Sequence, residues 1–324
     1  MENKDLTMVA NFDDQLSNNA CWCSTLNMAW GEFRKRYNKE NYTSKEKNAF
    51  VEKLDLNCNN IPNLDKSEFF TKVGMKVEKF KKTLEKAIYK KFGEKSDVLG
   101  KLSWAKGCKS KDWIFYTMYK AKFSFKKDFE IFENEYKFNG YDKDIKFLGC
   151  NKFCNNYYVE PAYYNSASDF AVMLTTNNES KKIFVCRTDK NDSFKNIYDF
   201  MTNSQGKERI AVKSFAMPFL NFSVQKDYKN ELGEYILSRK SFSLFKPQLV
   251  KLNQMIQTLQ FELNNKEAKA KSEAVVTTME STYIIKMPEP KYCDFIFDDK
   301  FYLFLVEDGS PVMAIKVNNI EKFI

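Results

Sequence analysis

The first third of the chain carries apolar residues at the three- and four-residue spacing of an amphipathic helix. Between Ser24 and Tyr37 the apolar positions fall on one side of such a helix. The same spacing runs through residues 64–92, where lysines fill the positions between the apolar ones. We therefore predict a helix over each of these two segments. The apolar residues of the second segment are Phe69, Phe70, Val73, Val77, Phe80, Leu84, Ala87 and Ile88.

From Trp113 onward the pattern becomes that of β-strands. The run WIFYTMY at Trp113–Tyr119 is dense in aromatic and apolar residues, which is typical of a strand buried on both faces. Two helical segments are predicted among the later strands, at Phe194–Thr202 and Asp227–Leu237. Helices first and strands later indicate an α+β fold with mainly antiparallel sheets. The further predicted strands are Tyr157–Pro161, Phe170–Thr175, Ile210–Met217, Phe219–Val224, Leu259–Leu263, Phe295–Phe297, Tyr302–Val306 and Val312–Val317.

One polar segment, residues 264–291, separates two of these strands and is too long for an ordinary hairpin connection. Its first part alternates small residues with charged ones. If it forms a strand, the small residues lie on one face and the charges on the other. A short helix or a surface loop is the alternative, because Ala, Lys and Glu also favour helices. The small residues are Ala268, Ala270, Ser272 and Ala274.

Composition removes several enzyme classes. With 43% apolar and 16% aromatic residues, the 324-residue chain can bury a large core. It has no histidine, which excludes a Ser-His-Asp triad, a Cys-His pair and an HExxH zinc helix. Its ten glycines are scattered singly, so dinucleotide and P-loop fingerprints are absent. An enzyme is not excluded by these absences, but the residues that its usual chemistries need are missing, and we predict no cofactor.

The charge pattern argues against nucleic acid as a partner. Lys and Arg number 52 and Asp and Glu 43, which gives a net charge of +9. Nearly all of the positive charge is lysine, interspersed with acidic and aromatic residues, whereas base readout favours clustered arginine. We interpret the lysines as a solvated surface. No apolar run approaches the length of a membrane span, so no membrane partner is predicted either.

The eight cysteines form no CxxC pair. Cys21-x-Cys23 and Cys150-x₃-Cys154 have spacings that could bind a metal, but buried or free thiols are favoured, and an even count also permits disulfides. We predict no metal site. The first residues contain no apolar signal core, so the expected location is cytoplasmic, or secreted by a signal absent from this sequence.

The order of features from residue 113 onward resembles the serpin family, which traps proteases by a loop-to-strand transition. The clearest match is FIFDDKFYLFLVEDGSPVMAIKVNN, Phe295–Asn319, which is similar to the closing hairpin of the family. Upstream, FELNNKEAKAKSEAVV at Phe261–Val276 resembles its last central strand and hinge. Weaker matches precede these in the correct order, at Met118–Phe123, Tyr163–Leu174 and Met217–Leu232.

The resemblance implies a serpin-like fold with an exposed reactive loop at residues 265–291. A target serine or cysteine protease would cut this loop, and the loop would then insert into the central sheet. The implied hinge residues are Asn265, Lys266, Glu267, Ala268, Ala270, Ser272 and Ala274, with Glu267 standing where the family has glycine. The implied candidates for the cleaved bond are Met279, Ser281, Thr282, Tyr283 and Lys286.

Two functions follow from the resemblance, and neither is that of an enzyme or needs catalytic residues of its own. The first is a protease inhibitor that acts as a suicide substrate. The alternative is a non-inhibitory binding or structural protein whose loop does not insert. In either case we expect a monomer and one domain over residues 1–324, mostly helical at 1–110 and rich in sheets at 111–324. We also expect residues 268–274 to form an exposed loop before cleavage.

Overall fold

The computed structural model describes residues 6–37, 42–44, 47–58, 64–106, 112–151, 154–204, 210–239, 249–252, 254–268 and 290–324. Within these residues the α-helices are α1 (Thr25–Arg36), α2 (Ala49–Asn57), α3 (Glu78–Phe92), α4 (Phe194–Asn203) and α5 (Lys229–Leu232). The strands are β1 (Leu6–Met8), β2 (Asn19–Cys23), β3 (Tyr42–Ser44), β4 (Phe69–Met75), β5 (Trp113–Tyr119), β6 (Phe123–Ser124), β7 (Glu130–Phe132), β8 (Phe147–Cys150), β9 (Val159–Ser166), β10 (Asp169–Thr175), β11 (Lys181–Arg187), β12 (Ile210–Pro218), β13 (Leu220–Asp227), β14 (Ile236–Arg239), β15 (Leu249–Lys251), β16 (Ile256–Leu263), β17 (Glu267–Ala268), β18 (Lys291–Ile296), β19 (Phe301–Glu307) and β20 (Ser310–Val317).

The chain divides into two compact units. The first holds Cys23–Lys120 and Val224–Leu259. The second holds Asn3–Trp22, Ala121–Ser223 and Gln260–Ile324. The expected single domain over residues 1–324 stays a prediction.

The second unit is built on a seven-stranded sheet with the order β1-β2-β20-β19-β11-β10-β9. Every residue of β19 is buried, as its continuous apolar run predicts. The turn to β20 consists of Asp308 and Gly309, both with positive φ, which is the geometry of a tight type I′ hairpin. Helix α4 places Phe194, Ile197 and Met201 in the core that this sheet shares with it.

A four-stranded sheet with the order β18-β12-β8-β7 also belongs to the second unit. Aromatic rings fill the space beside it. The Phe170 ring centroid lies 5.3 Å from that of Phe295 and 5.0 Å from that of Phe297, both in edge-to-face geometry. The high phenylalanine content of the chain therefore serves the core of this unit.

In the first unit, α3 packs on a two-stranded sheet of β4 and β5. The single helix predicted over residues 64–92 is wrong for its first half, because Phe69–Met75 is a strand. Each residue of β4 pairs with β5, from Phe69 opposite Tyr119 to Met75 opposite Trp113. The apolar spacing there suits a strand as well as a helix, and pairing with the neighbouring strand decides between them.

Other predicted elements have mixed outcomes. The helices predicted at Ser24–Tyr37 and Phe194–Thr202 are confirmed as α1 and α4. The helix predicted over Asp227–Leu237 is wrong beyond one turn, because Gly233 with φ 55° follows α5 and β14 begins at Ile236. None of the helices in the described residues is long and apolar enough to cross a membrane.

Candidate functional site

Strand β16 ends at the segment that the serpin resemblance predicts to be a hinge. Its side chains alternate, with Gln257, Leu259, Phe261 and Leu263 buried and Gln260 exposed. Among the described strands, β16 is hydrogen-bonded to β13 on one side and to β17 on the other. Only Leu263 pairs with β17. The rest of that edge of β16 therefore has no strand partner within the described residues.

A tight turn at Asn264–Lys266 reverses the chain after β16. The Asn264 Oδ1 accepts hydrogen bonds from the backbone N–H of Lys266 (2.9 Å) and of Glu267 (3.2 Å). The Asn264 N–H donates to the Glu267 carbonyl at 3.1 Å. Asn is favoured at such turns because its side chain replaces a backbone acceptor. Glu267 is not among the described residues with positive φ, so this chain does not need a glycine there.

The turn is fixed to the segment that follows β6. The Phe129 N–H donates to the Asn265 carbonyl at 2.8 Å, and the Asn265 Nδ2 donates back to the Phe129 carbonyl at 3.2 Å. The Phe125 N–H donates to the Lys266 carbonyl at 3.0 Å. Three hydrogen bonds therefore hold the two turn residues against one stretch of backbone.

Strand β17 consists of two of the predicted hinge residues. Glu267 pairs with Ser124, and Ala268 pairs with Phe123 and with Leu263. The Glu267 carboxylate forms an ion pair with Lys122, and these side chains are 12% and 24% exposed. Ala268 is completely buried. The expectation that residue 268 lies in an exposed loop is wrong, because the edges of β6 and β16 take up its backbone.

Near the β6 partner of β17, the seven-stranded sheet has a buried lysine opposite a buried glutamate. Phe123 is fully buried, and the Lys181 Nζ lies 5.3 Å from the centre of its ring. Lys181 is itself buried and stands opposite the buried Glu307 of β19. A cation against an aromatic face is attracted to it. Ala268 therefore pairs with a residue, Phe123, whose ring lies beside a buried lysine.

Sequence reasoning missed Gln257, the polar residue on the buried face of β16. Its Oε1 accepts a hydrogen bond from the Tyr228 hydroxyl at 3.1 Å, and its Nε2 donates to the Cys23 carbonyl and the Thr25 hydroxyl, both at 3.0 Å. Burial raises the pKa of the nearby Cys23 thiol, which hydrogen bonds from Thr25 partly oppose. The signal in the sequence that could have identified Gln257 was a glutamine on the apolar side of an alternating strand.

The structure brings together four of the residues proposed for the hinge: Asn265, Lys266, Glu267 and Ala268. The others lie outside the described residues: Ala270, Ser272, Ala274, Met279, Ser281, Thr282, Tyr283 and Lys286. Their roles stay predictions.

The cysteines do not present a nucleophile in the described part of the chain. Cys150 and Cys154 form a disulfide, and the five described cysteines outside it are all buried. Burial raises the pKa of Cys186 to about 12, so it is a thiol at neutral pH. Nor do the described residues include a group of three His, Cys, Asp or Glu side chains that could hold a metal ion.

The similarity of this chain to known proteins lies in its structure and not in its sequence. No family model and no curated protein matches the sequence. Among solved structures, the thermophilic serpin tengpin in its native state is similar with a TM-score of 0.51 and 9% identity, over 96% of this chain and 92% of tengpin.

Two insect serpins are similar at slightly lower scores. Serpin48 of Tenebrio molitor has a TM-score of 0.48 and 10% identity, over 94% of this chain and 92% of its own. Serpin-12 of Manduca sexta has a TM-score of 0.49 and 11% identity, over 94% of this chain and 93% of its own. The similarity to tengpin shows the class: this chain has a serpin-like fold, and the predicted α+β fold is confirmed.

Proposed function

We propose that this chain is a protease inhibitor that acts as a suicide substrate through loop insertion. The observation that carries the proposal is β17, a two-residue strand already paired with the end of β16. A strand that continues in the same direction from Ala268 would run antiparallel along the rest of that edge. The protein would need no catalytic residue of its own.

The register of β17 supports insertion on the correct face. Continuing the pairing of Leu263 with Ala268 places Ala270 opposite Phe261, Ser272 opposite Leu259 and Ala274 opposite Gln257. Residues directly opposite in an antiparallel pair share a face. All three partners on β16 are buried, so the small side chains would enter the core.

The same register keeps charge out of the core. Lys269 would stand opposite Glu262, Lys271 opposite Gln260 and Glu273 opposite Thr258. These positions of β16 are half-buried or exposed. Burying an unpaired charge is costly, and this register avoids it. It also pairs Lys269 with a carboxylate of opposite sign.

In the proposed reaction, the Ser or Cys nucleophile of the protease attacks a carbonyl carbon of the loop. The peptide C–N bond breaks, the new amine leaves with the carboxy-terminal part, and an ester or thioester joins the protease to the inhibitor. Insertion of the freed loop would carry the acylated protease away before water hydrolyses that bond. The cleaved bond is proposed to lie between Met279 and Met287, with Ser281-Thr282 at the expected distance from the hinge.

The second candidate is a serpin-fold binding protein whose loop stays outside the sheet. The ion pair between Lys122 and Glu267 and the three hydrogen bonds at Asn265 and Lys266 favour it, since they hold the hinge in its present place. Both candidates involve a monomer, and they differ in whether cleavage is followed by insertion.

Incubation with a panel of serine and cysteine proteases, followed by a denaturing gel, separates the two candidates. An inhibitor gives a covalent complex that survives denaturant, with the mass of the protease plus the inhibitor without the fragment that follows the cut, and with the acylated residue identified by mass spectrometry. Proteases with a chemically blocked nucleophile are the control and must give no complex. Clean cleavage within residues 279–287 without any complex would reject inhibition in favour of the binding protein.

A further inference from the structure

A basic and aromatic surface lies beside the hinge turn in the second unit. It consists of Lys126, Lys127, Tyr158 and Lys266, and we call it the hinge-side patch. We infer that this patch docks an acidic surface of the target protease while the loop occupies the protease active site. The inference rests on the proposed function, because it assigns a second contact to the same partner.

The backbone brings the members of the patch together. The Phe125 N–H donates to the Lys266 carbonyl at 3.0 Å, and Lys126 and Lys127 follow directly. The three lysines are exposed, and Tyr158 is 43% exposed. Lys266 is the second residue of the predicted loop 265–291 and immediately precedes β17. A protease that contacts the patch therefore lies at the base of its own substrate segment.

The lysines of the patch carry charge that the described residues do not neutralise by ion pairs. The Lys126 Nζ lies 4.7 Å from the centre of the Tyr158 ring, and the Lys127 Nζ lies 4.1 Å from that of Tyr157. Asp128 and Glu130 are the nearby carboxylates along this segment, and Glu130 accepts a hydrogen bond from the Tyr157 hydroxyl at 3.1 Å. With a chain charge of +9, this arrangement suits an acidic partner.

The patch is also held in shape before any partner binds. Tyr158 has φ 57°, a left-handed conformation that is uncommon for a residue other than glycine. Its carbonyl accepts a hydrogen bond from the Thr175 N–H at 3.1 Å. The adjoining Tyr157 ring stacks on Phe129, with centroids 5.5 Å apart. A preorganised surface loses less conformational entropy on binding, and exposed tyrosine is favoured in protein interfaces.

The test uses two trypsins of the same primary specificity and opposite surface charge, anionic and cationic. The variant is Lys126→Ala/Lys127→Ala, and the matched control is Lys137→Ala/Lys143→Ala, which removes two other exposed lysines of the same unit. The readout is the second-order rate constant for cleavage within residues 269–289, with the cut identified by mass spectrometry. It is measured at low and at high salt, on proteins with matched melting temperatures.

We expect the patch variant to slow cleavage by anionic trypsin about fivefold at low salt and to lose that difference at high salt. Cationic trypsin should show no slowing, and the control variant should behave like the wild type. Equal slowing with both trypsins, equal slowing in the control, or no change would overturn the inference. The rate is scored whether or not a covalent complex forms, so a failure of the proposed inhibition would be seen separately on the denaturing gel.

Discussion

At the scale of single residues, Lys316 of β20 is the clearest electrostatic cost in the described structure. It is 6% exposed, and its Nζ donates to the Ser17 carbonyl at 2.8 Å and to the Asn191 Oδ1 at 2.7 Å. Both acceptors are neutral. Burial lowers the pKa of Lys316, and the like charge of Lys300 lowers it further. The Tyr302 ring, 6.0 Å from the ammonium, gives only partial compensation.

The lowered pKa of Lys316 makes the stability of the protein depend on pH. Between that lowered pKa and the ordinary value of 10.5, the unfolded chain holds more protons on this residue than the folded protein does. The contribution of Lys316 to the free energy of unfolding therefore rises with pH over this range. Lys316→Met lacks the titrating group, so its stability relative to the wild type should fall as the pH rises. Urea unfolding of both proteins at several pH values between about 8 and 10.5 measures this.

A parallel dependence in wild type and variant would show that Lys316 is solvated in the folded protein. Lys300→Met is a useful companion variant, because it removes only the smaller cause of the shift. It should leave most of the pH dependence in place.

At the scale of elements, the register of β17 makes a prediction for the strand that would follow it. Ala270→Arg places a long cation opposite the buried Phe261, whereas Lys271→Arg changes a side chain on the opposite face. Because burying an unpaired charge costs several kcal/mol, insertion of the first variant should slow by about tenfold or more. Cleavage should then produce free protease rather than complex. The stoichiometry of inhibition measures this partition, and Lys271→Arg should match the wild type.

If Ala270→Arg traps protease with an unchanged stoichiometry, Ala270 is not on the inserting face. The same result from both variants, a large loss of trapping, would place both faces of the segment against the core. Either outcome contradicts the register that β17 defines.

Sequence alone could predict those helices and strands whose apolar spacing fits only one kind of secondary structure. A segment with six apolar or aromatic residues out of seven, as in β5, or a continuous apolar run, as in β19, leaves little alternative to a strand. Phe69–Met75 was misassigned because its spacing fits a helix too, and only the distant strand β5 decides. Strand β11 was missed because its run begins with two lysines, and Lys181 is buried only through the neighbouring strands.

The candidate site was predictable only in its local part. Alternation along residues 268–274, together with the serpin resemblance, predicts a hinge there, since this pattern involves only neighbours in the sequence. The residues that contact this segment are distant in the sequence. Asn265 contacts Phe129, 136 positions away, and Glu267 contacts Lys122. The absence of a hinge glycine also could not be interpreted from sequence, because it is the Asn264 turn that removes the need for one.

At the scale of the whole molecule, the proposed insertion would lengthen a strand pairing that the described residues begin. Strand β16 runs from Ile256 to Leu263, and among the described strands only β17 pairs along that side, at Leu263. Each hydrogen bond made in a protein contributes about 0.5–1.5 kcal/mol net. If residues 269–275 joined this edge, the gain would reach several kcal/mol before any side chain is counted.

Cleavage between Met279 and Met287 should therefore raise the melting temperature of an inhibitory molecule. Nicking a surface loop of an ordinary protein leaves its stability unchanged or lowers it, because the cut adds freedom without adding contacts. Here the cut would free the segment after Ala268 to enter the sheet, and a gain of about 4 kcal/mol corresponds to roughly 6 °C for a chain of this size. Melting curves before and after limited proteolysis measure the shift.

Ala270→Arg, cut at the same bond, is the control and should show no rise, since its inserting face carries a cation. An equal rise in both proteins would mean that the stabilisation comes from the cut itself, and no rise in either would mean that Lys122 and Glu267 hold the hinge of a binding protein in place.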